Sequence, residues 1–280
     1  MRTRIITSLV AIVVFLPFLV FSDTWIFGFG IAVCSCVSVF EMLKCVGLHK
    51  KYAVSIPLLA LGAVLPMYIY FADGYVLFLK LAIPCILLCM LWLLAVSVFS
   101  LERITITDVS TAAFLCFYII VAFSSILFLR YYDEQGAYTY LLVFVGAWVT
   151  DIFAYFSGML FGKHKLIPEI SPKKTIEGSI GGILFCGLSF LLYGFILRHW
   201  FHIDNNFSYL LLFGYGVAVS VVSQIGDLAM SAVKRHYHIK DYGKILPGHG
   251  GFLDRFDSIL AVSVVLFVLN ECASVFETIV

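Results

Sequence analysis

Charge is what this sequence has least of. Asp, Glu, Lys and Arg make up 12% of its 280 residues, against 62% hydrophobic residues. A soluble domain of this length needs about 25% charged residues to cover its surface, so most of this surface must face lipid. The chain also has no polar linker, no low-complexity run and no convincing internal repeat. These absences exclude a tandem array and leave one continuous membrane domain as the simplest organisation. Cysteine is present, but not in a chemical pattern. Cys34, Cys36, Cys45, Cys85, Cys89, Cys116, Cys186 and Cys272 form no CxxC pair and have no histidine partners at zinc spacing. They read as small apolar core residues, and neither a disulfide nor a compartment follows from them.

What is present is a succession of apolar runs. Backbone groups inside a bilayer must be satisfied by helix hydrogen bonds, which requires about 20 mostly apolar residues per span. Nine segments meet or approach this, near 5–21, 24–46, 53–71, 75–99, 109–129, 138–160, 178–199, 207–229 and 258–277. The expected fold is all-α, a polytopic integral membrane protein with about nine transmembrane helices. The first segment has a second reading as a signal peptide, with Val20-Phe21-Ser22 resembling a small-residue cleavage site.

The basic residues then set an orientation. Arg2, Arg4, Lys44, Lys50, Lys51, Arg103, Lys163, Lys165, Lys173, Lys174, Lys234, Arg235, Lys240, Lys244 and Arg255 fall on one side, 15 of the 18 in the chain. Only Arg130 and Arg198 fall on the other, and Lys80 lies within a span. The N-terminus and two long basic loops are therefore expected in the cytoplasm. Among the intramembrane charges, Glu41 and Lys80 sit toward the ends of their spans, where snorkelling to the interface is the simplest expectation. Asp151 lies deep in its segment on a short side chain, and Asp227 sits at the cytoplasmic end of the eighth span. Both are functional candidates by position.

Residues 226–258 read GDLAMSAVKRHYHIKDYGKILPGHGGFLDRFDS. If the eighth helix continues to residue 235, Asp227, Ser231, Lys234 and Arg235 share one helical face. A carboxylate, a hydroxyl and two cations on one stripe make a metal-and-phosphate composition. The Pro247–Gly251 turn contains glycines that let backbone N–H groups approach an anion. Asp254, Arg255 and Asp257 follow it. A hairpin through this turn would bring Asp254 beside Asp227, and carboxylates from two helices suit Mg²⁺, a hard cation that often bridges substrate phosphates. A basic juxtamembrane loop with balancing acids explains any one of these residues. It does not explain so many polar residues and glycines packed between two apolar helices.

This run resembles the signature of CDP-diacylglycerol synthases (phosphatidate cytidylyltransferases), which joins GDLxxSxxKR to KDxG and PGHGGxxDRxD. All the fixed positions are present, from Gly226 and Asp227 through Lys240 and Asp241 to Asp254, Arg255 and Asp257. Residues 151–182, DIFAYFSGMLFGKHKLIPEISPKKTIEGSIGG, are similar to the family's DxxAYxxGRxFGKxKLxPxISPKKTWEGxxGG. Met159 stands where Arg is usual, and Ile176 where Trp is usual. Residues 1–130 match in hydropathy alone, so the chain reads as amino-terminal helices over 1–130 and a catalytic membrane region over 131–280.

The resemblance implies transfer of the cytidylyl group of CTP to phosphatidic acid, giving CDP-diacylglycerol and pyrophosphate for phospholipid synthesis. It assigns Asp227 and Asp254 to Mg²⁺, with Asp257 as a further ligand or a residue behind them; a second metal ion is an open addition. Lys173, Lys174, Lys234 and Arg235 neutralise the triphosphate and the lipid phosphate. Lys234, Arg235, Asp254 and Asp257 form the expected catalytic set. Ser171, Ser231, Lys240, Arg255, Asp151, His249, Gly250 and Gly251 complete the expected substrate site, His249 chiefly by holding its turn. The expected partners are CTP, phosphatidic acid and membrane lipid, with no nucleic acid and with a homodimer left open. The expected location is a bacterial inner (cytoplasmic) membrane with the site facing the cytoplasm. Two other readings compete with it: a polyprenol kinase or a cytidylyltransferase for another lipid phosphate, and a transporter. The full PGHGGxxDRxD run argues against the kinase, and charges gathered on one face argue against the transporter.

Overall fold

The structure, a computed structural model, describes residues 13, 15–72, 74–100, 103–133, 135–201, 208–245, 248 and 250–273. These residues form long helices and one small hairpin, in two compact units: 1–134 with 236–256, and 135–235 with 257–280. Seven of the described helices are long and apolar enough to cross a membrane, which makes the protein polytopic. About half of the first expected span lies outside the described residues, as do the final residues of the last.

In the first unit α1 (Trp25–Cys45), α2 (Tyr52–Phe71), α3 (Tyr75–Phe99) and α4 (Ile106–Tyr131) follow one another through short connections. A capping box starts α4: Asp108 N donates to Thr105 Oγ1 at 3.1 Å, and Thr105 N donates to Asp108 Oδ2 at 3.0 Å. Phe27, Val39 and Met42 of α1, Leu58 of α2 and Ile119, Phe123 and Ile126 of α4 are fully buried and form the core. Helix α3 stands apart, with only 17% of its most apolar stretch buried. Leu93 is buried, but Leu77, Leu79, Ile83, Leu87 and Leu91 are exposed and left for lipid.

In the second unit a single helical turn (Gly136–Thr139) leads into α5 (Leu141–Phe161), followed by α6 (Ile176–Trp200), α7 (Tyr209–His236) and α8 (Asp257–Cys272). Small residues bring these helices close, as membrane helices require when no hydrophobic force separates lipid from core. A methyl group added at Gly178 would lie 2.6 Å from the Ala154 carbonyl oxygen, and one at Gly182 would lie 3.0 Å from that of Thr150, so α5 and α6 touch backbone to backbone. Gly216 of α7 approaches Gly187 of α6 in the same way, with an added methyl only 2.7 Å from the Gly187 Cα.

The connection between α5 and α6 departs from the all-helical expectation. Residues Lys165–Ile167 (β1) and Ser171–Thr175 (β2) pair antiparallel, with Lys165 opposite Thr175 and Ile167 opposite Ser171. The hairpin is tied to the next helix at its base. Thr175 Oγ1 accepts from Gly178 N at 3.1 Å as the N-cap of α6, and Glu177 accepts from both the backbone N and Nδ1 of His164. The ISPKKT sequence is thereby held as a strand running straight into a helix.

Candidate active site

The face of α5 that carries Asp151, Ala154, Tyr155, Gly158 and Met159 repeats at helical spacing. It forms one wall of a cavity of about 380 Å³ in the second unit. Lys173, Lys174 and Thr175 at the end of β2, Gly178 and Ser179 at the start of α6, and Gln224 and Asp227 of α7 complete the lining. Gln224 Nε2 donates to the Ser179 carbonyl at 3.3 Å and braces α7 against α6. Met159 is thus a cavity residue, so a thioether lines the wall where the family pattern has a guanidinium. Ile176, the other departure, is exposed at the first residue of α6.

The polar contacts of the site converge on Asp227. Lys174 Nζ lies 2.6 Å from its Oδ2, and Ser231 Oγ donates to its Oδ1 at 3.4 Å. The stripe read from the sequence is real, because Asp227 and Ser231 are one turn apart on α7. Asp257, the first residue of α8, joins the same constellation: Lys234 Nζ is 3.9 Å from its Oδ2, and its Oδ1 accepts from Ser258 N at 3.0 Å. Ser258 Oγ in turn donates to Asp151 Oδ2 at 3.4 Å. The three carboxylates are near enough to repel one another, with Lys174 offsetting Asp151 and Lys234 offsetting Asp257.

This arrangement has more acidic than basic partners at its centre. Three carboxylates meet the two lysines Lys174 and Lys234 in a largely apolar surrounding, which favours the entry of a further cation. All the acidic donors are oxygens, the donor type a hard cation such as Mg²⁺ takes. Among the described residues no group of three His, Cys, Asp or Glu side chains is arranged to hold a metal ion.

Other expected site residues fall out as follows. Lys173 is exposed on the cavity rim and Ser171 is half-buried at the start of β2, while Arg235 is exposed at the end of α7. Lys240 and Arg255, both exposed, belong to the first unit, as does Asp254. His249 lies outside the described residues. Sequence reasoning missed Gln224, Thr175 and Ser258. Of these, Gln224 had a signal: a polar side chain three residues before Asp227 in an otherwise apolar run.

The glycine-rich loop of the first unit closes on itself. Asp254 is 8% exposed, and its Oδ2 accepts from Tyr242 N at 2.9 Å and from Gly251 N at 3.0 Å. The Gly251 N–H, expected to face a phosphate, is therefore taken up by the loop's own carboxylate. Gly248 and Gly250 adopt φ values of 82° and 87°, which side-chain-bearing residues rarely reach. Glu41 also corrects an expectation. It does not snorkel; it is 1% exposed, with Oε1 accepting from Phe252 N at 3.0 Å and Oε2 from Leu253 N at 2.8 Å.

Comparison with known proteins extends the resemblance along the chain. The sequence profile of the Cytidylyltransferase family matches residues 2–273. A phosphatidate cytidylyltransferase of Bacillus subtilis (strain 168) is 38% identical over 275 residues, covering 96% of this chain and 97% of the relative. Phosphatidate cytidylyltransferases of Staphylococcus aureus (strain COL) and Staphylococcus haemolyticus are each 36% identical over 273 residues, covering 96% of this chain and 98% of each relative. The match takes in the amino-terminal helices, which the motifs alone had left out.

Proposed function

Because this chain belongs to the Cytidylyltransferase family, we propose that it transfers the cytidylyl group of CTP to phosphatidic acid, forming CDP-diacylglycerol and releasing pyrophosphate. The observation that carries this reading is the Lys174–Asp227 pair in the wall of a cavity built on lipid-facing helices. A phosphate oxygen of phosphatidic acid attacks the α-phosphorus of CTP, and the bond to the β-phosphate oxygen breaks as pyrophosphate leaves. Both reactants are anions, so the main obstacles are charge repulsion and alignment. Lys173 and Lys174 receive the triphosphate at the mouth of the cavity. Lys234 stands by the lipid phosphate, and Ser231 and Ser258 hold the carboxylates in orientation. No side-chain nucleophile is needed.

Asp227 and Asp257 are the residues that would hold Mg²⁺, and the assignment of Asp254 to it rests on the sequence signature. When bound, the ion supplies positive charge to the phosphate oxygens and screens the approach of the two anions. With Asp227 engaged in that way, Lys174 would be available to a phosphate oxygen. The acyl chains stay in lipid while the head group enters beside α5, whose exposed Tyr155, Phe156 and Met159 provide an apolar approach. The 15-to-2 basic asymmetry supports a cytoplasmic site in a bacterial inner membrane.

The test is incubation of purified protein with CTP, phosphatidic acid and Mg²⁺, with separate detection of CDP-diacylglycerol and pyrophosphate. Equal amounts of the two products are expected. Release of CDP with a phosphorylated lipid would identify a kinase instead.

A further inference from the structure

Glu41 is a carboxylate on a membrane helix, and nothing in the reaction above uses it. It sits one turn before the end of α1, yet it is as buried as the hydrophobic core around it, at 1% exposure. Burying a carboxylate costs heavily unless its oxygens are hydrogen-bonded. Here both are engaged, each by a backbone N–H more than 200 residues away in sequence: Phe252 to Oε1 and Leu253 to Oε2. These two amides open the Leu253–Arg255 3-10 turn, whose middle residue is Asp254.

The loop is shaped around this carboxylate. A methyl group added at Gly251 would lie 2.8 Å from both Glu41 oxygens, and one at Gly243 would collide with Oε1. Two glycines of the KDxG and PGHGG motifs therefore make room for the Glu41 head. Asp254 closes the same loop from the other side through Tyr242 N and Gly251 N. Three consecutive amides, of Gly251, Phe252 and Leu253, thus point at two carboxylates. One comes from the motif, and the other from a helix that the motif does not include.

We propose that Glu41 is a positioning residue for the reaction: it fixes the backbone of residues 251–253 and so sets the orientation of Asp254. This rests on the reading of the chain as a cytidylyltransferase that uses Asp254. The bidentate geometry has a consequence for substitution. A glutamine keeps the size but turns one acceptor into an NH₂ donor facing a backbone N–H, so one of the two loop amides loses its partner. An aspartate keeps both acceptors and shortens the reach by one methylene.

The experiment compares wild type, Glu41→Gln and Glu41→Asp as purified full-length protein below the melting temperature. In Glu41→Gln, kcat should fall about 10- to 100-fold and the Mg²⁺ midpoint should rise, with the KM for CTP little changed and part of the activity restored in Glu41→Asp. Hydrogen exchange without metal or substrate supplies an independent readout: the 250–256 segment should exchange faster in Glu41→Gln, while α2 and α4 keep their protection. Unchanged kcat and Mg²⁺ midpoint per folded molecule would overturn the proposal, leaving Glu41 a purely structural residue. So would faster exchange spread uniformly over the first unit. If wild type itself makes no CDP-diacylglycerol, the functional reading fails, and the exchange result still decides whether Glu41 holds the loop.

Discussion

Lys174 Nζ and Asp227 Oδ2 stand 2.6 Å apart, which joins the end of the β-hairpin to the carboxy-terminal half of α7. The cation suited to a triphosphate and the carboxylate suited to a metal neutralise each other in this geometry. Lys173, one residue earlier, lines the same cavity and is exposed.

The two lysines should separate kinetically. Lys174→Ala is expected to lower kcat by about 10²–10³, the loss typical of removing one charge-stabilising group, and to alter the Mg²⁺ response by freeing Asp227. Lys173→Ala should mainly raise the KM for CTP with a smaller effect on kcat. Steady-state kinetics with each substrate varied in turn checks both, and wild-type constants in either variant would remove that lysine from the site.

Asp227→Asn and Asp257→Asn keep the shape of the side chains and remove their charge. Each should abolish turnover without unfolding the protein, and the double variant should be little worse than either single one, because residues acting as a unit are not additive. Activity against Mg²⁺ concentration, with thermal unfolding in detergent as the folding control, makes the measurement. Near-normal turnover in Asp257→Asn would move the second carboxylate role from Asp257 to Asp254.

The packing of α5 on α6 predicts a stability effect separate from chemistry. In Gly178→Ala the new methyl would lie 2.6 Å from the Ala154 carbonyl oxygen and 2.9 Å from Thr175 Oγ1. Backbone cannot yield there as a side-chain tip would, so a loss of about 1–3 kcal/mol is expected. It should appear as a lower melting temperature in detergent, together with reduced activity because Lys174 is carried on the same junction. An unchanged melting temperature would mean the two helices separate easily.

Orientation is tested by single cysteines at Lys165 and Lys244. Neither should react with an impermeant thiol reagent added to intact cells, and both should react after permeabilisation, against a cysteine-free background. Labelling of both from outside would reverse the topology and remove CTP from reach of the site.

Much of the site was legible because its elements are local. The i to i+4 spacing of Asp227 and Ser231 needs only a helix to bring the two together, and the structure has that contact at 3.4 Å. The membrane spans followed from run length, since a bilayer accepts little else than a helix over such stretches. The hairpin at Lys165–Thr175 is not legible in the same way, because its strands are short and polar, without the apolar alternation that marks a strand.

The sequence by itself determined that the chain is helical and crosses a membrane, and which motifs carry carboxylates and lysines. Each follows from composition, run length or spacing within a single element. Only the tertiary structure decided which partners those residues meet. Lys174 reaches Asp227 because glycines let α5, α6 and α7 approach one another, and Asp257 enters the same group because α8 begins there. The fate of Glu41 was beyond any local reading: a carboxylate near a helix end looks ready to reach water. Two backbone amides 211 and 212 residues along the chain hold it in the core instead, because a buried charge stays wherever hydrogen bonds replace its water.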